Sequence, residues 1–387
     1  MAGKARIYLD HNATSPVRPA AAEAMRRALD PAIGNPASLH TEGRAARALV
    51  EHAREQVAAL VGVSSKEIVF TSGGSEAIAS AVRGVIDRAP PNLRRIVVSC
   101  VEHSAVLESA KNAGKRLEVI RIGCDRQGRV DANQFARQLD RSTALACLQW
   151  ANNETGVIQP VEEVGRACRR AGVPLLVDAV QAAGKVEMDL WRMQADLAAL
   201  SSHKLGGPQG AGALVVRDGI ALAPLIAGGA QEKRRRAGTP SVAAIAGFGA
   251  AADEAHGRWK RDSERLLRLR AKLETRLNQL FDGVRFHGQA APRLASTVNF
   301  AVREVSGEVL AIALDLAGVA VSTGSACASG AVEPSHVIRA MGFDEEEARG
   351  AVRLSLGWNS EPEEVDRFLE LLPAVVEQIR AEKGTFR

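Results

Sequence analysis

Aromatic side chains are scarce, at 4% of the residues with a single tyrosine, and none accompanies the densest basic run, Lys233-Arg234-Arg235-Arg236. A nucleic-acid groove combines cations with stacking rings or a basic helix, so this run, set between Gly228-Gly229 and Gly238-Thr239, reads as a solvated or anion-steering loop. The excess of one charge sign is small: 50 Lys and Arg against 45 Asp and Glu, a net of +5, interleaved along the chain. No nucleic-acid partner is expected. Long apolar runs are missing and Met1 to Ile7 carries no apolar signal region, so a cytoplasmic protein without a membrane anchor is expected. Cysteines number five, odd and without paired spacing, which argues against a disulfide framework and against a zinc or other metal site. No repeat or low-complexity linker interrupts the chain.

What is present is an ordinary globular composition, 46% hydrophobic and 25% charged, over 387 residues. That length exceeds what one core usually serves, so a large domain with a smaller partner is expected. Seven short apolar runs, at 68–70, 95–99, 117–122, 144–149, 174–177, 197–200 and 213–216, alternate with segments of helical period. The pattern predicts an α/β fold: a mainly parallel, seven-stranded sheet covered by helices. After Thr239-Pro240 it changes to helical stretches at 241–255 and 262–280. Short strands follow at 284–287, 297–302, 319–322 and 352–356, then a final helix from 361 towards 382. This is a smaller α+β domain. The division drawn is 15–258 for the large domain, with 1–14 and 259–387 forming the small one.

The run at 197–200 leads into Ser201-Ser202-His203-Lys204-Leu205-Gly206-Gly207-Pro208, which sets a lysine in a tight polar turn at a strand end. The run at 174–177 delivers Asp178 and then Gln181 from its carboxyl end. Each charged residue alone reads as a loop lysine or a helix cap. Together, at successive carboxyl ends of buried strands, they fall where open α/β sheets bind ligands. An amine and an acid so placed suit an aldehyde-bearing pyridine cofactor, the acid keeping the ring nitrogen protonated.

Other groups fit around that pair. Thr71-Ser72-Gly73-Gly74-Ser75-Glu76 joins a strand to a helix and offers backbone N–H groups to an anion, with Ser201, His203 and Thr239 adding polar groups of the same kind. Glu102-His103 follows the run at 95–99, bringing an imidazole to the same edge, where it could stack on a ring and move protons. Asn152-Asn153-Glu154 supplies an amide after the run at 144–149. Arg353, inside an apolar strand, needs an anion, which a substrate carboxylate or a neighbouring acid would provide. Ser322-Thr323-Gly324-Ser325-Ala326-Cys327-Ala328-Ser329-Gly330 is almost wholly small residues, so Cys327 sits on a loop where a thiol can act as nucleophile. The other cysteines, Cys100, Cys124, Cys147 and Cys168, lie in or beside apolar elements and read as inert.

These residues resemble the cysteine desulfurases of the nitrogen-fixation and iron-sulfur-cluster type, class V aminotransferases within fold type I of the pyridoxal phosphate transferases. The resemblance runs from Tyr8-Leu9-Asp10-His11-Asn12-Ala13-Thr14 through Gly34-Asn35-Pro36-Ala37-Ser38, the His103, Asn153, Asp178 and Lys204 segments and Gly324-Ser325-Ala326-Cys327 to Arg353-Leu354-Ser355-Leu356. It implies pyridoxal 5'-phosphate carried on Lys204, with Asp178 at the pyridine nitrogen, Asn153 and Gln181 at the ring oxygen and His103 stacked on the ring. Gly74, Ser75, Ser201 and His203 would hold the phosphate, with Thr239 reaching in from the second subunit of a homodimer. Arg353 and Asn35 would fix the carboxylate of L-cysteine. Cys327 would take the sulfur as a persulfide, release L-alanine, and pass the sulfur to an iron-sulfur scaffold or another acceptor protein. A selenocysteine lyase or another aminotransferase-fold enzyme, with Cys327 incidental, is the competing reading. Ser75, Ser202 and His11 depart from the residues usual in the family, and none of the three changes removes a chemical role.

Overall fold

The computed structural model of the chain describes residues 6–113, 117–323 and 333–385. All seven apolar runs become strands of one sheet: β1 (Ile68–Thr71), β2 (Arg95–Ser99), β3 (Glu118–Ile122), β4 (Thr143–Gln149), β5 (Leu175–Asp178), β6 (Leu197–Ser201) and β7 (Gly212–Val216). Their order is β1-β7-β6-β5-β4-β2-β3. Neighbours from β6 to β3 pair in parallel, and β7 is antiparallel to both β6 and β1. Strands with both faces covered read as continuous apolar runs rather than alternating ones, and every residue of β4 is buried. Alternate side chains still serve different faces. Ala146, Leu148, Leu175 and Val177 enter one core, whereas Leu145, Cys147, Leu176 and Ala199 enter another, as the two-residue period of a strand requires.

A third core lies apart from the sheet, where Leu266, Leu269, Leu273 and Leu277 meet Val298, Phe300, Val352 and Leu354. The last four belong to an antiparallel sheet of β8 (Arg285–Phe286), β9 (Thr297–Ala301), β10 (Ser322–Thr323) and β11 (Val352–Ser355), ordered β10-β11-β9-β8. The helix Val242–Leu280 joins the cores: Ile245, Phe248 and Ala252 pack in the first, and the leucines from 266 onward in the third.

Two boundaries differ from the sequence reading. The stretches at 241–255 and 262–280 form one helix of 39 residues. The intervening residues lack an apolar period because they bridge two cores, yet they hold no proline. Arg258 spans the junction, lying 3.5 Å from Glu254 and 3.9 Å from Asp262. The strand read at 319–322 is split. Val319–Ala320 pairs in parallel with Ile7–Tyr8, while β10 pairs with β11, because the chain passes between two open edges. Finally, the helices His336–Ala340 and Glu345–Gly350 seat Val337, Ile338 and Ala348 in the first core, which brings His336 to the large sheet.

Candidate active site

The carboxyl ends of β2, β4, β5 and β6 converge. After β6 a 3-10 turn, Ser202–Lys204, swings the lysine back over the sheet edge. A Cβ at Gly207 would lie 2.2 Å from Ser202 Oγ, so the glycine lets the turn close against that hydroxyl without displacing it. Lys204 Nζ donates to the carbonyls of Asn12 (2.6 Å) and Ala13 (2.7 Å). The segment carrying those carbonyls is pinned beside the turn, with Ser15 N–H donating to His203 O at 2.9 Å and His203 Nδ1 3.1 Å from Thr14 Oγ1. Burial, with the charges of Lys204 and Lys185, pushes the His203 pKa down to about 4.

Asp178 ends β5 with 4% of its surface exposed, and its Oδ1 accepts from Val180 N–H at 3.0 Å. Burial raises its pKa, while His103, that N–H bond and Lys204 oppose the rise. His103 is the mirror case: burial lowers its pKa, Asp178 opposes, and Lys204 and His336 add to the lowering. Its Nδ1 accepts from Ala105 N–H at 3.1 Å, which leaves the proton of the neutral ring on Nε2. Lysine, acid and imidazole, read separately from the sequence, therefore act on one another.

Glu102 is fully buried beneath them, taking Ser99 Oγ–H (2.5 Å) and Gln149 N–H (2.8 Å) on Oε1. Burial lifts its pKa to about 8, against those two hydrogen bonds and with Asp178 and Cys100 adding to the rise. His336 Nε2 lies 3.0 Å from the Glu102 carbonyl. Gln181 donates from Nε2 to Asn12 O (2.9 Å) and accepts on Oε1 from Lys185 Nζ (2.8 Å). Asn153 lends its carbonyl to Arg353 Nη1 (3.0 Å) and to Asn12 Nδ2 (3.2 Å), and its Oδ1 lies 3.4 Å from Gln149 Nε2.

Arg353, on the central strand β11, has an anion within the chain: Nη2 donates to Asp10 Oδ1 at 2.7 Å. Among the described residues its buried Nε finds no partner. Gly74 and Ser75 open the helix Gly74–Ile86, whose preceding residue Gly73 has no side chain to cap it. Ser201 is buried alongside, and a Cβ on Gly74 would meet Val180 Cγ2 at 2.8 Å, so this end of the helix packs directly on the sheet edge. Thr239 is exposed and lines a cleft with Thr71, Ser72 and Arg236. Asn35 is exposed, its Oδ1 taken by Ala37 N–H at 2.9 Å, and the contacts of the described residues do not join it to the other site residues. Cys327 lies outside the described residues.

Sequence reasoning overlooked three participants: Asn12 as the meeting point of the network, Asp10 as partner of Arg353, and Lys185. The only signals were the quoted run around Asp10 and Asn12, and a lysine four residues after Gln181 among Ala182, Ala183 and Gly184.

A buried acid, a lysine amine and the uncapped amino end of a 13-residue helix on one sheet edge match the ring nitrogen, aldehyde and phosphate of a pyridoxal-type cofactor in their donor chemistry. Among the described residues no group of three or more His, Cys, Asp or Glu side chains is placed to hold a metal ion.

With this edge in view, the chain belongs to the class-V aminotransferase family, whose model matches residues 7–368. Its relatives narrow the class to the cysteine desulfurases. One from Cereibacter sphaeroides is 44% identical over 380 residues, 97% of each chain. A solved NifS-like protein superposes with a TM-score of 0.90 at 34% identity, covering 96% of this chain and 99% of its own. SspA in complex with cysteine gives 0.81 at 30% identity, over 90% and 98%. The architecture is that of the fold-type-I transferases.

Proposed function

We propose that the chain is a pyridoxal 5'-phosphate-dependent cysteine desulfurase that converts L-cysteine to L-alanine, the thiol of Cys327 taking the sulfur. The observation that carries this reading is the placing of Lys204, Asp178 and His103 at the carboxyl ends of strands along one sheet edge, where their charges act on one another, in a chain 44% identical to a cysteine desulfurase over 97% of its length. The bound cofactor would supply an aldehyde for the substrate amine and a protonated ring that draws electrons from the α-carbon.

The side chains divide the remaining work. Lys204 Nζ would hold the aldehyde and, when displaced by substrate, carry the α-proton. Asp178 would keep the ring nitrogen protonated, and His103, with Nδ1 committed to Ala105, would move protons at Nε2. Asn153 and Gln181 would face the ring oxygen; Gly74, Ser75, Ser201 and His203 would take the phosphate, joined by Thr239 of a second copy in a homodimer. Arg353 would offer its Nε, with Asn35, to the substrate carboxylate. In sum the C–S bond of cysteine breaks, an S–S bond to Cys327 forms, and the carbon takes a proton, so no outside oxidant or reductant enters. An iron-sulfur scaffold or another acceptor protein would then take the sulfur. The reading extends to a cytoplasmic location; no helix among the described residues is long and apolar enough to cross a membrane. It also extends to the division at 258/259, which the long helix crosses between two cores.

Cys327→Ser tests it. The variant should bind cofactor and L-cysteine yet release no alanine at a useful rate, since a serine oxygen is a poor nucleophile toward sulfur. Mass spectrometry of the unsubstituted protein mixed with cysteine, without reductant, should find added sulfur on the Cys327 peptide. Undiminished alanine release by the serine variant would leave a lyase or aminotransferase that does not use the thiol.

A further inference from the structure

Lys204 is not the only lysine at this edge. Lys185, in the turn after β5, is partly exposed as a residue, but its amine is enclosed and lines the same small cavity as Lys204, His11 and Asp262. Nζ donates to Gln181 Oε1 at 2.8 Å and to Asn12 Oδ1 at 3.2 Å. Those two amides are otherwise committed. Gln181 Nε2 donates to Asn12 O, and Asn12 Nδ2 to Thr297 Oγ1 (3.0 Å) and Asn153 O. Asn12 O also receives Lys204 Nζ. The Lys185 amine thus supplies the donor that both carboxamide oxygens require, because an unpaired buried oxygen would carry the full cost of desolvation.

We propose that Lys185 is a positioning residue for Lys204 and the cofactor: its amine locks Gln181 and Asn12 in the orientation that receives the Lys204 nitrogen and turns an N–H of Gln181 toward the ring oxygen, and it sets a second cation against that nitrogen. This rests on the cofactor reading above. The charges around Lys185 agree with it. Burial, then Lys204 and Arg353, push its pKa down to about 7, so the amine gains or loses its proton near neutrality. Lys185 in turn helps to depress His203 and His11. Asp262, across the cavity, lies 3.9 Å from Arg258. With the cofactor bound, a proton on Lys185 would oppose protonation of the nitrogen that Lys204 contributes, because the two like charges repel.

The test is a pH titration of the visible absorbance of the bound cofactor in the unsubstituted protein, Lys185→Met and Lys185→Arg. Loss of the cation should raise the midpoint in Lys185→Met by about one pH unit, a tenfold change in proton affinity. Lys185→Arg, which keeps a cation there, should hold it near that of the unsubstituted protein. In Lys185→Met, kcat should fall on the order of tenfold while KM for cysteine changes little, the mark of a lost orienting interaction rather than lost binding. An unmoved midpoint in Lys185→Met with cofactor bound would overturn the proposal and leave the function intact. If Lys185→Met does not fold, a raised midpoint in Lys185→Arg would overturn it. Failure of the unsubstituted protein to take up the cofactor would instead defeat the functional reading.

Discussion

The two ends of the large sheet are made from the same apolar strands and treat charge in opposite ways. At the amino end, Arg95 opens β2 and pairs with Asp140 at 2.6 Å and Glu118 at 3.4 Å, the acids being 49% and 65% exposed. Hydrogen bonds from Ser142, with Arg95 and Thr143 behind them, hold the Asp140 carboxyl down at about 2. At the carboxyl end, Asp178, Glu102, His103 and Lys185 are enclosed, and burial comes first among the causes moving each toward its neutral form. Water reaches the acids that pair with Arg95, while the four groups at the other edge are shut away from it. Desolvated, mutually coupled groups in a cleft are the signature of a functional site, whereas exposed pairs contribute little.

Asp178→Asn strikes hardest at this contrast. Turnover should fall by about 10²–10³-fold, the usual cost of removing one preorganised electrostatic group. The unfolding midpoint in urea at pH 7 should stay level or rise, since a carboxyl whose folded pKa is raised contributes stability that is lost as pH rises. A parallel loss of both would make Asp178 a structural residue.

Glu102→Gln sharpens the contrast through stability alone. The folded chain holds the Glu102 proton up to about pH 8, while its unperturbed value is 4.5. The glutamate's contribution is therefore complete below pH 4.5 and drains away as pH rises to about 8, by an amount on the order of a few kcal/mol. The gap in unfolding free energy between the unsubstituted protein and the variant should narrow or reverse across that window, as equilibrium denaturation at several pH values would show. A constant gap would mean that Glu102 is ionised in the fold.

At the amino edge, Asp140→Asn should cost no more than about 1 kcal/mol and leave turnover unchanged, because exposed pairs of this kind are worth that or less. A larger loss of stability would erase the distinction between the two edges.

Sequence reasoning reached all seven strands of the large sheet to within a residue or two at either end, because six are short runs buried along nearly their whole length and the edge strand β3, though largely exposed, keeps alternate apolar residues. It also placed Lys204, Asp178 and His103 at strand ends, since a charged residue closing an apolar run is a local signal. It failed where the cause was distant. The long helix looked like two because its middle faces neither core. Arg353 is 343 residues from Asp10 in the chain, and nothing local announces that pair. Lys185 went unnoticed because its neighbours Ala182, Ala183 and Gly184 do not reveal that Asn12 and Gln181 close over its amine.

By itself the sequence determined the architecture and the chemical inventory: an apolar run of four to seven residues buries as a strand wherever it is covered, and a lysine, a carboxylate or an imidazole is supplied by residue type alone. Tertiary structure decided the electrical state of that inventory. Whether a lysine is an ordinary cation or an amine poised near neutrality depends on how much water remains around it and which charges from remote segments face it, and burial and long-range contact exist only once the chain has closed.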